Sequence, residues 1–156
     1  MKMTNDKLLI PPSASTAKTK MEWNLTNKVF AVTAGCSPIG KATVRKLAKK
    51  GASVVVADQD EMAGNRLAME ITDAGGQAAF VRIDVSNEQD GHTLVQFALD
   101  TFGRFDGAVN NIGEPQSVID MHELNTMELD RMHTTDLRGL FFCMRAELEH
   151  FLETRS

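Results

Sequence analysis

Small and turn-forming residues follow a short apolar run near the start of the chain, in the segment Val32 to Gly40 (VTAGCSPIG). The run before it, Asn27 to Val32, is rich in strand-forming residues, and apolar positions recur at helical spacing after Gly40. The pattern predicts a strand, a tight turn and a helix. Such a turn directs backbone N–H groups and the positive end of the helix dipole towards an anion, and small side chains let a pyrophosphate approach closely.

A carboxylate follows the next apolar run. Ala52 to Ala57 is continuously apolar, as expected of a buried parallel strand, and the run ends at Asp58. The spacing from the turn is close to the distance of about 20 residues at which dinucleotide-binding sites place an acid. A carboxylate there accepts hydrogen bonds from ribose hydroxyls and repels a 2′-phosphate, so NAD is favoured over NADP. The alternative is a solvated Asp58 at a strand end.

These residues need elements that bring them to one edge of a sheet. The apolar pattern predicts strands at about 28–33, 53–58, 78–83 and 105–110, and helices at about 39–50, 60–74, 87–102 and 125–152. Right-handed crossovers give an α/β fold, a Rossmann-like three-layer α/β/α domain with about four parallel strands in order 3-2-1-4. We expect the first two helices to cover one face and the last two the other. Ser86 to Gln89 predicts a capping box for the third helix.

Together these segments resemble the short-chain dehydrogenase/reductase family, from about Leu25 to Phe151. The similarity rests on KVFAVTAGCSPIGKA, the pair Asp84-Val85, FDGAVNNIG, and the late helix LDRMHTTDLRGLFFCMRAELEHF. It implies NAD(P)-dependent oxidoreductase descent, with Asp84 and Val85 flanking the adenine.

The resemblance also implies that Asn110 and Gly113 line the cofactor cleft. The alternative is that the Asn-Asn-Ile-Gly segment only shapes the exit from a strand. The full set of predicted cofactor-binding residues is Thr33, Gly35, Ser37, Ile39, Gly40, Asp58, Asp84, Val85, Asn110, Asn111 and Gly113.

The glycine motif departs from the family pattern T-G-x-x-x-G-x-G. Ala34 stands at the first glycine and Pro38 at the second, so only Gly40 remains in register. Pro38 has no N–H to donate, although proline is acceptable in the first turn of a helix, and Ala34 is strained if the turn needs a positive φ. Ile112 replaces a small residue beside the cleft. We therefore expect weak NAD binding.

The proton relay of the family is missing from this sequence. Relatives carry an Asn in the pattern N-L-x-G, then a Ser, then Tyr-x-x-x-Lys; here Asp136 stands at the Asn position, the chain has no tyrosine, and its last lysine is Lys50. The resemblance thus predicts a shortened family member without hydride transfer of its own, with Asp136 as the catalytic candidate. Two alternatives are a non-redox isomerase or cyclase using Asp136 or His122, and a non-catalytic partner or regulatory subunit.

Composition places the chain among ordinary globular domains. Its 156 residues are 42% hydrophobic and 24% charged, which predicts one globular domain. Residues 1–20 are rich in Ser, Thr, Ala and Lys and contain Pro11-Pro12, so we expect a flexible tail at 1–24, and the resemblance implies a truncated Rossmann-like dinucleotide-binding domain at 25–156. A net charge of −4 argues against nucleic-acid binding. Two cysteines favour reduced thiols in the cytoplasm, and the sequence predicts neither a metal site nor a membrane span.

The last helix carries more apolar residues than one buried stripe needs. They are Leu137, Leu140, Phe141, Met144, Leu148, Phe151 and Leu152. We expect part of this set to pack inside the domain, and the rest to join the unpaired edge of the fourth strand in binding a second copy of the chain or a partner protein.

Overall fold

The computed structural model describes residues 23–113 and 120–154, so most of the predicted tail, residues 1–24, lies outside the described part. Four parallel strands form one sheet in order β3-β2-β1-β4, and helices flank it on both sides, which confirms the predicted Rossmann-like fold. In chain order the elements are β1 Val29–Thr33, α1 Pro38–Lys49, β2 Ser53–Asp58, α2 Glu61–Asp73, β3 Gln77–Arg82, α3 Glu88–Phe102, β4 Gly107–Val109, α4 Thr126–Met132, a π-helical segment His133–Gly139, and α5 Leu140–Thr154.

The strand β2 lies at the centre of the domain because it is apolar on both faces. Val54, Val55 and Val56 are each 0% exposed. β1 pairs with β2 in parallel, with Val29 opposite Ser53, and β4 pairs with the other side of β1, with Ala31 opposite Ala108. The sheet therefore has β3 and β4 as its two edges.

Two apolar clusters hold the helices against the sheet. On one face, Val54 and Val56 pack with Val44 of α1 and Leu67 of α2. On the other face, the residues that pack together include Val55, Ala57, Leu94 and Ala98 of α3, and Ala146 of α5. Alternate residues of β2 thus serve opposite layers, and the predicted division of the helices between the two faces is confirmed.

Three local predictions differ from the structure. The predicted fourth strand, 105–110, is only Gly107–Val109. The predicted late helix, 125–152, contains a π-helical segment. The predicted capping box at Ser86 is wrong, because Ser86 Oγ donates to the Asp84 carboxylate. Asn87 is the N-cap of α3 instead, and its side chain accepts a hydrogen bond from the Gln89 N–H.

At the amino end of the strands, three residues donate four hydrogen bonds to the Asp106 carboxylate. It accepts from the Val29 N–H at 2.8 Å, from Lys28 Nζ at 3.0 Å, and from Arg104 Nε at 2.7 Å and Nη2 at 2.5 Å. Partial burial alone would raise the pKa of Asp106, but these hydrogen bonds outweigh it and hold the pKa well below its ordinary value. This end of the sheet is therefore closed by an ion-pair cluster.

Candidate functional site

The turn between β1 and α1 requires a left-handed residue at a position where the chain has alanine. Ala34 has a φ of 43°, a region that costs an L-residue about 1 kcal/mol or more. Pro38 is the first residue of α1, where a missing N–H costs the helix no intrahelical hydrogen bond, and Ser37 is the N-cap whose Oγ accepts from the Gly40 N–H at 3.0 Å. The turn keeps its shape at the expense of backbone strain.

Gly40 lets the turn fold tightly over the first residues of α1. A Cβ at this position would lie 2.1 Å from the Ala34 carbonyl oxygen and 2.8 Å from Gly35 Cα. Both neighbours are backbone atoms that cannot move aside cheaply. The one family glycine that remains in register is thus the one that the packing demands.

Several N–H groups of the turn already have acceptors within the protein. Gly35 N donates to the Ala57 carbonyl at 3.1 Å, Ser37 N to the Ala34 carbonyl at 3.1 Å, and Cys36 N to Asp58 Oδ2 at 2.9 Å. Ile39, which is 68% exposed, lies in the first turn of α1, whose N–H groups lack intrahelical acceptors. An anion would therefore meet a narrower set of donors than the sequence predicts.

Asp58, at the end of β2, is fixed by hydrogen bonds to backbone on both sides. Its Oδ2 accepts from Cys36 N, and its Oδ1 accepts from Asp60 N at 3.1 Å. Each carboxylate oxygen has a further lone pair for a hydroxyl donor. Burial, followed by the charge and hydrogen bonding of Asp58, raises the pKa of the Cys36 thiol to about 11. Cys36 is therefore a neutral thiol at physiological pH.

A cleft of about 220 Å³ opens beside Asp58 at the carboxyl end of the strands. Its volume is below the range of about 300–1,000 Å³ typical of sites for drug-sized ligands, so it fits part of a dinucleotide. Of the predicted residues, Asp58, Val85 and Gly113 line it. The full lining is Ala34, Ala57, Asp58, Gln59, Ile83, Val85, Ile112, Gly113 and Thr135.

Asp84 and Val85 point to different surroundings. Val85 lines the cleft. The Asp84 carboxylate accepts from Ser86 N at 3.0 Å and Ser86 Oγ at 2.7 Å, and Asp84 N donates to Asp90 Oδ2 at 2.7 Å. The acid of this pair thus organises its own loop, while the apolar residue forms a wall of the cleft.

The two asparagines after β4 contact opposite sides of the sheet. Asn111 Nδ2 donates to Ser37 Oγ at 2.8 Å and approaches the Ala34 carbonyl at 3.4 Å. Asn110 Nδ2 lies 3.0 Å from both carboxylate oxygens of Glu147 in α5. The Asn-Asn pair therefore ties the end of β4 to the turn and to the last helix.

The π-helical segment brings a residue into the cleft that the sequence analysis missed. Thr135 lines the cleft, whereas Asp136, the next residue, is half-buried and not part of the described lining. A Cβ on Gly139 would come within 3.1 Å of the Val85 carbonyl oxygen, so glycine permits the close approach. The only signal for Thr135 in the sequence was its place beside the D-L-R-G pattern.

His122, the other residue named for the isomerase or cyclase alternative, is exposed and is not part of the described lining of the cleft. Within 23–113 and 120–154, no group of three or more His, Cys, Asp or Glu side chains has the geometry to hold a metal ion. In the same ranges, no helix has the length and apolarity needed to cross a membrane.

A larger cavity, about 530 Å³, lies between α3 and α5. His92, Glu149 and His150 are among its lining residues, and none of the predicted cofactor-binding residues reaches it. We assign the candidate site to the smaller cleft, because that cleft is lined by Ala34 of the strained turn, by Asp58 and by the end of the Asn-Asn-Ile-Gly segment.

Comparison with known proteins identifies the family of the chain. A family model described as short chain dehydrogenase matches residues 28–156. The 2,5-dichloro-2,5-cyclohexadiene-1,4-diol dehydrogenase of Sphingobium indicum is 35% identical over 130 residues, covering 83% of this chain and 51% of that protein. The 3beta-hydroxysteroid dehydrogenase 2 of Eggerthella lenta is 31% identical over 129 residues, covering 83% and 50%.

A solved structure has the same fold. The crystal structure of gox2181 superposes with a TM-score of 0.82 at 27% identity, covering 86% of this chain and 52% of that one. The chain therefore spans about half the length of the curated relatives and of the solved structure that it matches.

Proposed function

Because the chain belongs to the short-chain dehydrogenase/reductase family, we propose that its carboxyl-end cleft binds NAD in preference to NADP, and that this 156-residue chain does not transfer hydride by itself. The family scaffold is of the NAD(P)-dependent type. The observation that carries the proposal is Asp58, which lines the cleft with both carboxylate oxygens fixed by backbone N–H groups.

The preference for NAD follows from the charge of Asp58. A fixed carboxylate accepts hydrogen bonds from the 2′- and 3′-hydroxyls of a ribose, and it repels the phosphate that NADP carries at the 2′ position. The pyrophosphate would lie against the first turn of α1, near Ile39, and the adenine beside Val85. Nicotinamide, when bound, supplies the hydride chemistry of the family; the residues named here only hold and orient the nucleotide.

Weak binding is part of the proposal. Ala34 strains the turn, Pro38 offers no N–H, and Cys36 N is already bonded to Asp58. Each feature removes a donor or raises the free energy of the turn relative to a glycine-rich sequence. A cleft of about 220 Å³ also leaves part of the dinucleotide exposed.

The absence of hydride transfer is inferred from the residues that a proton relay needs. The sequence contains no tyrosine, and Asp136, at the family Asn position, is not part of the described lining of the cleft. A general acid or base must lie within hydrogen-bonding reach of the reacting group. The chain alone is expected to bind the nucleotide without oxidising or reducing a substrate. We also propose a cytoplasmic location, where the free thiols Cys36 and Cys143 would stay reduced.

A second candidate function, a non-catalytic partner subunit, is favoured by α5 and the end of the π-helical segment. Five apolar side chains are between 44% and 76% exposed there, whereas Phe151 stacks on Phe105 with ring centroids 5.4 Å apart. The exposed set is Leu137, Phe141, Met144, Leu148 and Leu152. We propose that this surface and the β4 edge bind a second copy of the chain or a partner protein. Light scattering during gel filtration tests the homodimer; a monomer at micromolar concentration would contradict it.

The isomerase or cyclase alternative rests on Asp136, which lies in a π-helical segment, a feature frequent at functional sites. Turnover of a small organic substrate without a change in nicotinamide absorbance would support it. Asp136→Asn should then abolish that turnover, and retained turnover would exclude Asp136 as the base.

Fluorescence titration with NADH and NADPH tests the main proposal. The wild-type chain should bind NADH saturably and more tightly than NADPH, and Asp58→Asn should reduce that preference by about tenfold, because charge-assisted hydrogen bonds to the ribose weaken and the repulsion of the 2′-phosphate is relieved. Asp73→Asn, at the exposed end of α2, is the matched control and should leave both affinities unchanged.

Two results would contradict the proposal. Failure of the wild-type chain to bind NADH at millimolar concentration would remove nucleotide binding. Alcohol or ketone turnover by the purified 156-residue chain, with matching coenzyme oxidation or reduction, would remove the claim that it lacks hydride transfer.

A further inference from the structure

A buried acid in α5 stands out from the apolar surroundings. Glu147 is only 8% exposed, and it lies on the face of the helix that also buries Cys143 and Ala146. Burial raises the pKa of Glu147, and the hydrogen bond from Asn110 opposes that rise. Burying a carboxyl group costs free energy unless hydrogen bonds compensate for it. The side chain therefore needs an explanation other than packing.

Glu147 contacts the end of the edge strand through one residue. Both of its carboxylate oxygens lie 3.0 Å from Asn110 Nδ2. Asn110 Oδ1 is buried and has no hydrogen-bond partner within the described residues, so its interaction with Glu147 is what orients this amide. The contact joins α5 to the first residue after β4, which is the point where the chain leaves the sheet for the cleft.

The next residue carries the link to the turn. Asn111 Nδ2 donates to Ser37 Oγ at 2.8 Å, and the same oxygen accepts from the Gly40 N–H at 3.0 Å. The side chains of Asn110 and Asn111 face opposite layers, so fixing one of them fixes the peptide that presents the other. Two sets of hydrogen bonds, joined by the covalent Asn110–Asn111 peptide, thus connect α5 to the N-cap of α1.

We propose that Glu147 is a positioning residue for the nucleotide site: by holding the amide of Asn110, it sets the orientation of Asn111, which in turn holds Ser37 and the first turn of α1. The proposal rests on nucleotide binding at this cleft. Glu147 itself does not line the cleft as described, so its effect on binding is transmitted through the two asparagines.

A purely structural role makes a different prediction. Replacing a buried ionisable group by an apolar one of similar volume is often neutral or stabilising, provided that its partner finds another arrangement. If Glu147 only fills space, Glu147→Leu should leave the turn unchanged. If Glu147 positions the asparagines, the same variant should disturb the turn even when global stability is retained.

The test compares Glu147→Leu with Glu147→Gln in the full chain. Glutamine keeps an acceptor for Asn110 Nδ2 and gains a donor, so it should retain NADH affinity within about twofold. Leucine removes the acceptor and should weaken NADH binding about tenfold. Glu153→Leu, on the exposed part of α5, controls for the added apolar side chain and should bind NADH like the wild type.

A second readout separates this inference from the proposed function. The NMR signals of the Asn111 side-chain amide and of the Gly40 N–H should shift in Glu147→Leu without any nucleotide and return to their wild-type positions in Glu147→Gln. If the wild-type chain does not bind NADH, nucleotide binding fails as a function, and these signals still decide whether Glu147 orients Asn111.

Two outcomes would overturn the proposal. The first is a Glu147→Leu variant with wild-type NADH affinity and wild-type Asn111 and Gly40 signals. It would show that Glu147 does not affect the turn through the two asparagines. If Glu147→Leu does not fold, Glu147→Met, whose flexible side chain fills the same space, takes its place. Failure of both apolar variants to fold would make Glu147 a requirement of the fold and not a positioning residue.

Discussion

The amino and carboxyl ends of the four strands differ in hydrogen bonding and in backbone strain. At the amino end, Asp106 receives hydrogen bonds from Lys28, Arg104 and the Val29 N–H. At the carboxyl end, Ala34 has a φ of 43°, and Thr33 Oγ1 and Asn110 Oδ1 are buried without a hydrogen-bond partner in the described part of the chain. The Asp106 carboxylate at the amino end is well hydrogen-bonded, whereas the carboxyl end contains a strained backbone position and two unpaired buried oxygens in the described residues.

This difference supports the proposed position of the nucleotide site. Strained backbone and unsatisfied buried polar groups persist in proteins mainly where function requires them, and the surrounding structure must offset their free energy. Here the ion-pair cluster at Asp106 and the buried valines of β2 stabilise the sheet, while the strained backbone and the unpaired polar atoms lie at the turn and in the Asn-Asn segment. Substitutions at the amino end should therefore change stability alone, whereas substitutions at the carboxyl end should also change NADH binding.

The largest effect is expected from Gly40→Ala. The new Cβ would lie 2.1 Å from the Ala34 carbonyl oxygen, so the turn must open, at a cost of roughly 2–3 kcal/mol in the free energy of unfolding. Urea denaturation measures that cost, and NADH binding should be lost with it. Gly75→Ala is the control for backbone strain without a clash, because alanine is strained at its φ of 83° but nothing lies within 4 Å of the new Cβ. Equal destabilisation by both variants would mean that close packing at the turn contributes nothing.

Asp106→Asn should be next, and it should act on stability alone. Loss of the charge-assisted hydrogen bonds should cost about 1.5 kcal/mol at neutral pH, a modest figure because Lys28 and Arg104 are half-exposed. NADH affinity should stay within about twofold of the wild type, since the cleft lies at the other end of the strands.

The pH dependence of the Asp106 effect follows from the depressed pKa. The folded-state pKa lies below the unfolded value of about 3.9, so the contribution to stability is complete above that value and is lost as the pH falls towards the folded-state pKa. The stability difference between wild type and Asp106→Asn should therefore be constant from pH 5 to pH 7 and shrink below about pH 4. A difference that does not change between pH 7 and pH 2 would disprove the ionic origin.

The smallest effect, and the one with the opposite sign, is expected from Ala34→Gly. Glycine adopts positive φ without a Cβ penalty, so this variant should stabilise the chain by about 1 kcal/mol and tighten NADH binding. Ala42→Gly, on the exposed side of α1, is the control for the same substitution without backbone strain. It should lower the free energy of unfolding by about 1 kcal/mol, as glycine does inside a helix. Destabilisation by Ala34→Gly, measured by thermal or urea unfolding, would show that the turn carries no strain.

The fold could be predicted from the sequence where side-chain pattern alone determines structure. The continuous apolar run of β2 indicates a strand buried on both faces, and right-handed crossovers then fix the order of its neighbours. The strain at Ala34 was also predictable, because the turn geometry of the family leaves alanine no relaxed conformation there.

Other features depend on contacts that a linear pattern does not contain. Ser86 loses the capping role to Asn87 because Asp84 accepts its hydroxyl. The π-helical segment arises from a shift in backbone hydrogen bonding, so the place of Thr135 beside the D-L-R-G pattern was not enough to predict that it would line the cleft. In α5 apolar residues occupy both sides of the helix, and the sequence alone could not reveal that Glu147 is buried while Leu148 is exposed.

The most direct test of nucleotide binding at the carboxyl end is an NMR titration of the isotope-labelled chain with NADH. We expect saturable shifts at the turn from Thr33 to Gly40, at Asp58, at Val85 and at Asn111, with Lys28, Arg104 and Asp106 unchanged. The absence of saturable shifts, or shifts centred on the amino end of the strands, would contradict the assignment of the site.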